Sequence, residues 1–425
     1  MKSCPVNLFD PEVQENWYPA YDELRENHPV YQIPDTAIYV LTRYEDIVQV
    51  VRDLETFSNQ PENHGGDLLI KHPEARAYYV EHGLGKGEGK GRWTPLGIDP
   101  PEHRKYRQMV DRFFQGAALT RARPMIEELV TKLLDDFAGK TEVEFVSAFA
   151  EPLPVQVITR MIGFPDKDIP QLKKWSASWA KPFERELTLE QEMTVARHGV
   201  EFQNYIKEQA DLRREHPRED ILTHLAFAQF DDKRPLTDHE IASMVDNLYI
   251  GGNETTTFAL TSGLWLFLRD PEIYRNLREN PEKIKTAVEE NLRLESPTQG
   301  LYRTAVKDTE IGGVPIPKGS TIHMRFAAAN RDERMFPQPA CLDLERRNAG
   351  KHLAFSIGEH HCPGSALSRL EQVVAFEQIL RRFPNLKLID EKNDYRHHPG
   401  FVLRALRELH LALDPVTTDT LVGAS

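Results

Sequence analysis

The 425-residue chain carries 53 Lys plus Arg against 66 Asp plus Glu, a formal charge of −13, with 40% hydrophobic and 28% charged residues. That mix describes a globular protein with ample length for a large core and excludes disordered and fibrous classes. The acidic surplus argues against a nucleic-acid or anionic-membrane partner. No apolar run reaches the roughly 18 residues of a membrane span, and the first residues lack a signal peptide's basic start and apolar stretch, so a cytoplasmic location is expected.

In chain order, a strand-like stretch over 30–41 comes first, followed by a Gly-rich segment over 83–91 (GLGKGEGKG) that can hold neither helix nor packed strand and reads as a loop. It is no phosphate cradle, because Gly87 stands where a P-loop needs Ser or Thr. Helical periodicity marks 101–114, 119–138, 150–162, 195–212, 272–295 and 364–382, and further strand-like runs lie over 300–325 and 385–413. The longest helix has a clear start, with Thr237 and Glu240 forming a capping box and Leu236 and Ile241 a hydrophobic staple. It should run to about Arg269 and stop before Pro271. The expected fold is mainly α, with small sheets near both ends of the sequence.

Four segments carry chemistry. Asp99-Pro100-Pro101-Glu102-His103-Arg104-Lys105-Tyr106-Arg107 starts a helix on which His103 and Arg107 share a face and could grip an anion, or form part of a solvated basic helix. Within the long helix, Leu248, Gly251, Gly252 and Thr255 share a face, so a flat ligand could lie against exposed backbone; close helix packing would use the same small residues. Glu254 beside Thr255 pairs an acid with a hydroxyl, suitable for relaying protons. Glu290 and Arg293 form an i, i+3 pair that alone reads as a surface ion pair. Finally, Phe355-Ser356-Ile357-Gly358-Glu359-His360-His361-Cys362-Pro363-Gly364 places a cysteine at the start of a helix, a setting that lowers a thiol pKa. An inert buried thiol, a zinc site with His352, His360 and His361, and an axial thiolate to haem iron all remain open for Cys362 on this segment alone. The other cysteines are Cys4 and Cys341. An odd, sparse set argues for reduced thiols.

In this order the segments, His-x-x-x-Arg, Gly-Gly-x-Glu-Thr, Glu-x-x-Arg and then Phe-x-x-Gly-x-x-x-Cys-x-Gly, resemble the cytochrome P450 family and its soluble bacterial members in particular. The resemblance covers roughly residues 10–413 and implies that the chain, residues 1–425, is a single domain, a triangular helical prism holding haem b. It implies Cys362 as the axial thiolate in a loop shaped by Phe355 and Gly358, and Thr255 with Glu254 as the oxygen-activating pair. It also implies Gly251 and Gly252 against the haem, and His103, Arg107, Arg303 and His360 around its propionates. Glu290 and Arg293 would form a structural ion group with Arg346 or Arg347. Ser356, where the family usually has Gly, and Pro363, where bacterial members usually have Leu or Ile, depart from the pattern.

The implied reaction inserts one atom of dioxygen into a small, largely apolar organic substrate, by hydroxylation, epoxidation or demethylation. Electrons would come from a separate ferredoxin and its NAD(P)H-dependent reductase, because the chain has no spare cysteine set for a cluster. Arg104, Lys105, Arg112 and Arg369 could offer an acidic donor a basic face. A peroxide-driven relative or a non-catalytic haem sensor are the alternatives, although neither needs Glu254 with Thr255. Family geometry suggests Trp93, Thr94, Leu96, Trp175, Trp179, Phe183, Leu248, Thr298, Leu301, Phe401 and Val402 as pocket residues, with Arg92 as an anchor for an anionic substrate group.

Overall fold

In the computed structural model, which describes residues 6–60, 70–86, 97–184, 187–398 and 400–413, the longest helix begins at the capping box. Thr237 Oγ1 accepts from the Glu240 amide at 3.1 Å, and the Glu240 carboxylate accepts from the Thr237 amide at 2.7 Å. The helix spans Asp238–Arg269, 32 residues, or about 48 Å. Asp270 ends it and caps the next helix, whose first residue is Pro271. Helices Pro152–Ile162, Leu189–Glu215, Ile284–Glu295 and Ser365–Arg382 pack around this spine. The spine is apolar through much of its circumference because neighbours cover it on several sides.

The stretch expected as one helix over 272–295 is three pieces: Pro271–Glu279, a 3-10 turn Pro281–Lys283 and Ile284–Glu295. Pro281 cannot continue the first helix, and Asn280 leaves the helical conformation with φ −131°. The apolar periodicity runs through the break, so period alone conceals it. The C-terminal stretch over 385–413 forms less strand than expected, only Lys387–Leu388 and His410–Ala412, which join Glu142–Glu144 in a small sheet.

The main sheet gathers residues from both ends of the chain, in the order Val30–Gln32, Ile38–Leu41, Thr321–Met324, Leu301–Ala305 and Phe57–Ser58. Thr321–Met324 lies parallel to Ile38–Leu41 and antiparallel to Leu301–Ala305. Helices Trp17–Asn27, Tyr44–Arg52, Pro73–His82 and Ile169–Glu184 were not legible as distinct elements from periodicity. Among the described residues no helix is long and apolar enough to cross a membrane.

Candidate active site between the long helix and the cysteine loop

The cysteine loop is closed by its own backbone. The Cys362 amide donates to the Phe355 carbonyl at 2.9 Å, and the His361 amide to the Gly358 carbonyl at 3.1 Å. Gly358 has φ +70°, a conformation that side chains disfavour. Ser356 also has a positive φ, +54°, and its buried Oγ has no hydrogen-bond partner. The replacement of Gly by Ser thus leaves strain in the loop.

Cys362 faces a cavity with about 620 Å³ of space not filled by atoms, part of it open to solvent. Leu248, Gly251, Gly252 and Thr255 line it from the long helix, and Phe355 and Cys362 from the loop. A Cβ on Gly251 would meet nothing within 4 Å, so the missing side chain leaves open space, whereas one on Gly252 would touch Ile158 at 3.4 Å. Thr255 Oγ1 donates back to the Gly251 carbonyl at 2.8 Å within the helix. Glu254 is half-buried beside it. Ile158, Phe114, Ser368 and Glu371 also line the cavity and were missed in the sequence, where they read as ordinary helix positions.

Burial pushes the Cys362 thiol up from its ordinary pKa, against the amides of Gly364 and Ser365 and the charges of Arg107 and Arg369. The expectation that the helix start alone lowers this thiol is therefore corrected: desolvation outweighs it, and a metal would have to displace the proton.

A second cluster contains the four residues expected around an anion, two arginines and two histidines. The rings of His103 and His360 lie 4.2 Å apart. His360 approaches Asn59 at 3.5 Å, and Arg303 donates to the same Asn59 side chain. Arg303 is only 2% exposed. Among the described residues its Nε has no partner, nor do His103 Nε2 and His360 Nε2. Burial holds Arg303 down to about 10, against the pull of Asp99. Burial, reinforced by the charges of Arg303 and His103, brings His360 to about 3. Arg107 is more fully engaged, donating to the His361 carbonyl and to Asp111. Asn59, whose amide is held by Asp99, had no motif to mark it. A buried guanidinium and two imidazoles with open N–H or lone-pair positions suit an anionic group with several oxygens.

The ion group is resolved in favour of Arg346. Glu290 accepts from Arg293 at 2.6 Å and forms an ion pair with Arg346 at 3.0 Å, and all three are buried, whereas Arg347 is exposed. The surface reading of Glu290 with Arg293 is thereby overturned.

Several pocket residues are placed otherwise. Trp179 is 1% exposed and packs edge-on to Tyr79, and a Cβ on Gly199 would collide with its ring. Trp175 stacks on Phe202 and donates to Glu201. Both are core side chains. Phe401 packs against Phe9, Trp17 and His323. Thr298 and Val402 sit in the contact between 297–299 and 402–404, where Thr298 bridges Leu403 and the Gln299 amide donates to the Val402 carbonyl. Leu301, 40% exposed, starts the strand that carries Arg303. Arg92, Trp93, Thr94 and Leu96 lie outside the described residues, as do Cys4 and the Phe183 side chain. The proposed basic face is largely paired internally: Arg104 to Glu359, Lys105 to Asp231 and Arg369 to Glu289. Among the described residues no three His, Cys, Asp or Glu converge as metal ligands, and His352 instead bonds Glu289, which disfavours the zinc reading.

Comparison with known proteins decides the family. The model described as Cytochrome P450 matches residues 154–411. The chain belongs to the cytochrome P450 family. It is 35% identical over 408 residues to the "Biotin biosynthesis cytochrome P450" of Bacillus subtilis, covering 95% of this chain and 98% of that protein. It is 31% identical over 407 residues to the "6-deoxyerythronolide B hydroxylase" of Saccharopolyspora erythraea, covering 94% of this chain and 96% of the relative. Among solved structures, P450BioI in complex with hexadec-9Z-enoic acid ligated acyl carrier protein superposes with a TM-score of 0.83 at 33% identity, over 95% of this chain and 99% of that one. The P450 CREJ in complex with (4-ethylphenyl) dihydrogen phosphate gives 0.87 at 29% identity, over 97% and 100%. The protein is thus a P450 monooxygenase of bacterial type with the P450 fold, in a family that binds haem. The cavity fits that group: a thiol faces a helix wall opened by Gly251, and the buried Arg303 guanidinium with the two imidazoles, whose nitrogens are open among the described residues, suits carboxylates.

Proposed function

We propose that this P450 oxidises a small, largely apolar organic substrate, using haem b ligated by Cys362 and electrons from a separate ferredoxin with its NAD(P)H-dependent reductase in the cytoplasm. The observation that carries this reading is the placement of Cys362 and of the Gly251–Thr255 wall on one cavity. When bound, the haem supplies reductive activation of dioxygen, with the thiolate favouring O–O cleavage. Arg303, His103 and His360, with Arg107, hold its propionates and fix its orientation. Gly251 leaves room on the helix wall, and Gly252 lets that wall close on Ile158. Thr255 Oγ1, held at the Gly251 carbonyl, and Glu254 deliver protons and keep water ordered there. Leu248 makes an apolar wall for the substrate. The acid and hydroxyl pair favours the dioxygen route over a peroxide-driven one.

The test is a set of three replacements. Cys362→His abolishes the thiolate signature of the reduced carbon-monoxide complex while Cys341→Ser keeps it, and Thr255→Ala diverts reducing equivalents to peroxide with substrate affinity within about threefold. Loss of the signature in Cys341→Ser, or full coupling in Thr255→Ala, overturns the assignment.

A further inference from the structure

Arg325 is 1% exposed, yet among the described residues no carboxylate pairs with it. Its Nε donates to Tyr21 Oη at 2.7 Å, and Nη1 donates to the Phe401 carbonyl. The guanidinium lies over the rings of Trp17 at 4.0 Å, Phe401 at 4.7 Å and Tyr21 at 5.2 Å. Nη2 is buried without a hydrogen-bond partner. Two residues earlier in the chain, His323 is wholly buried, and neither ring nitrogen has a partner. Its ring is sandwiched between Tyr302 at 4.6 Å and Phe401 at 4.7 Å. Burial keeps this imidazole neutral, so it offers one N–H donor and one acceptor.

Both unpaired groups therefore meet around a single ring, Phe401. That ring is half-buried and stacks on Phe9, which is 57% exposed. The segment carrying Phe401 is joined to 297–299 by the Thr298–Leu403 bridge and the Gln299–Val402 hydrogen bond, next to the strand that begins at Leu301 and carries Arg303. Leaving buried polar atoms open is costly for a structural plug. A planar carboxylate would satisfy the two donors among them, taking Nη2–H from Arg325 and the N–H from His323.

We propose that Arg325 and His323 form a carboxylate-binding site, covered by the Phe401 side chain, that anchors the acidic end of an otherwise apolar substrate. The proposal rests on the monooxygenase reading and narrows its substrate class to organic acids. Phe401 thereby gains a role as the cover of the anchor. Opening it moves the Phe401 ring off Phe9, Trp17 and His323.

The experiment compares decanoate with decanol and methyl decanoate, three ligands of one chain length and different head groups, by calorimetric titration of the haem-loaded protein. Haem loading is checked for every variant by the reduced carbon-monoxide spectrum, so a failed haem-thiolate assignment is seen separately. The expected result is decanoate binding about tenfold or more tighter than either neutral ligand, with the preference lost in Arg325→Met and reduced in Arg325→Lys. His323→Phe keeps the stack with Tyr302 and Phe401 but removes the N–H, and should weaken decanoate selectively; it decides the matter if Arg325→Met does not fold. Equal binding of acid and alcohol by the parent protein overturns the proposal, as does a loss in His323→Phe that is the same for all three ligands.

Discussion

Arg293 and Arg346 share the carboxylate of Glu290, and Arg293 also donates to the carbonyls of Asn330, Pro339 and Cys341. Arg303 is nearly as deeply buried but among the described residues contacts no carboxylate, and beside it His103 and His360 each leave a ring nitrogen open there. Both groups cost desolvation, but only the first recovers it within the chain. A cation whose partner is present ties secondary structure together; one whose partner is missing marks where a ligand's charge belongs.

Breaking the closed group gives the largest expected effect. Glu290→Gln leaves two buried guanidinium groups sharing no counter-charge and should cost about 3–5 kcal/mol, read from denaturant unfolding. A variant as stable as the parent would show that the group is not a structural tie. Glu289 offers an intermediate case, because burial would raise its carboxyl, yet hydrogen bonds from His352 and Arg369 and the charge of Arg369 bring it to about 2. His352 is itself held low by burial, so near neutral pH the lasting charge in this group is that of Arg369. A carboxyl lowered in the folded state adds stability above its unfolded pKa of about 4.5 and loses it as pH falls towards 2. The parent should lose on the order of 2 kcal/mol more than Glu289→Gln over that interval, and parallel stability profiles would refute the coupling.

The open group should respond with the opposite sign. Arg303→Met removes a buried charge without a carboxylate partner, so the haem-free protein should gain about 1–2 kcal/mol while haem is lost to apomyoglobin about tenfold more readily. If the variant destabilises the haem-free protein and retains haem normally, Arg303 belongs with the closed group. The smallest effect is at Pro363, which has no amide hydrogen to offer the sulfur. Because Gly364 and Ser365 already present amides to it, Pro363→Leu should raise the reduction potential by only tens of millivolts. An unchanged or lower potential would mean that Pro363 serves only to start the helix.

Much of the frame was legible because the signals were local. Thr237 with Glu240, and Asp270 before Pro271, mark both ends of the long helix through bonds to residues only a few positions away. The cysteine loop and the Glu290–Arg293 spacing were likewise written in short segments. What escaped depends on distant partners. Trp179 resembled a pocket residue because an aromatic on a helix declares no direction, and only the approach of Gly199 and Tyr79 sets it in the core. The choice of Arg346 over Arg347 needed the backbone of 337–346, since one residue of offset turns a buried tie into an exposed side chain. Asn59 joins Arg303 to His360 across more than 240 residues, a juxtaposition no spacing rule reveals.

The N-terminal aromatic cluster has a consequence for biosynthesis. Trp17 and Tyr21 lean on Arg325, and Trp17 also meets Phe401, so the surface that shields them is translated last. At elongation speeds of roughly 5–20 residues per second, Trp17 waits roughly 20–80 s for Phe401 to be made. Throughout that interval the nascent helix displays an apolar face that chaperones can bind, and completion of the main sheet, whose strands come from 30–41, 57–58, 301–305 and 321–324, cannot precede the arrival of its last strand. The beginning of the chain is therefore held for most of its synthesis in a state open to aggregation, and the yield of folded protein should depend on elongation rate more than the stability of the finished molecule suggests.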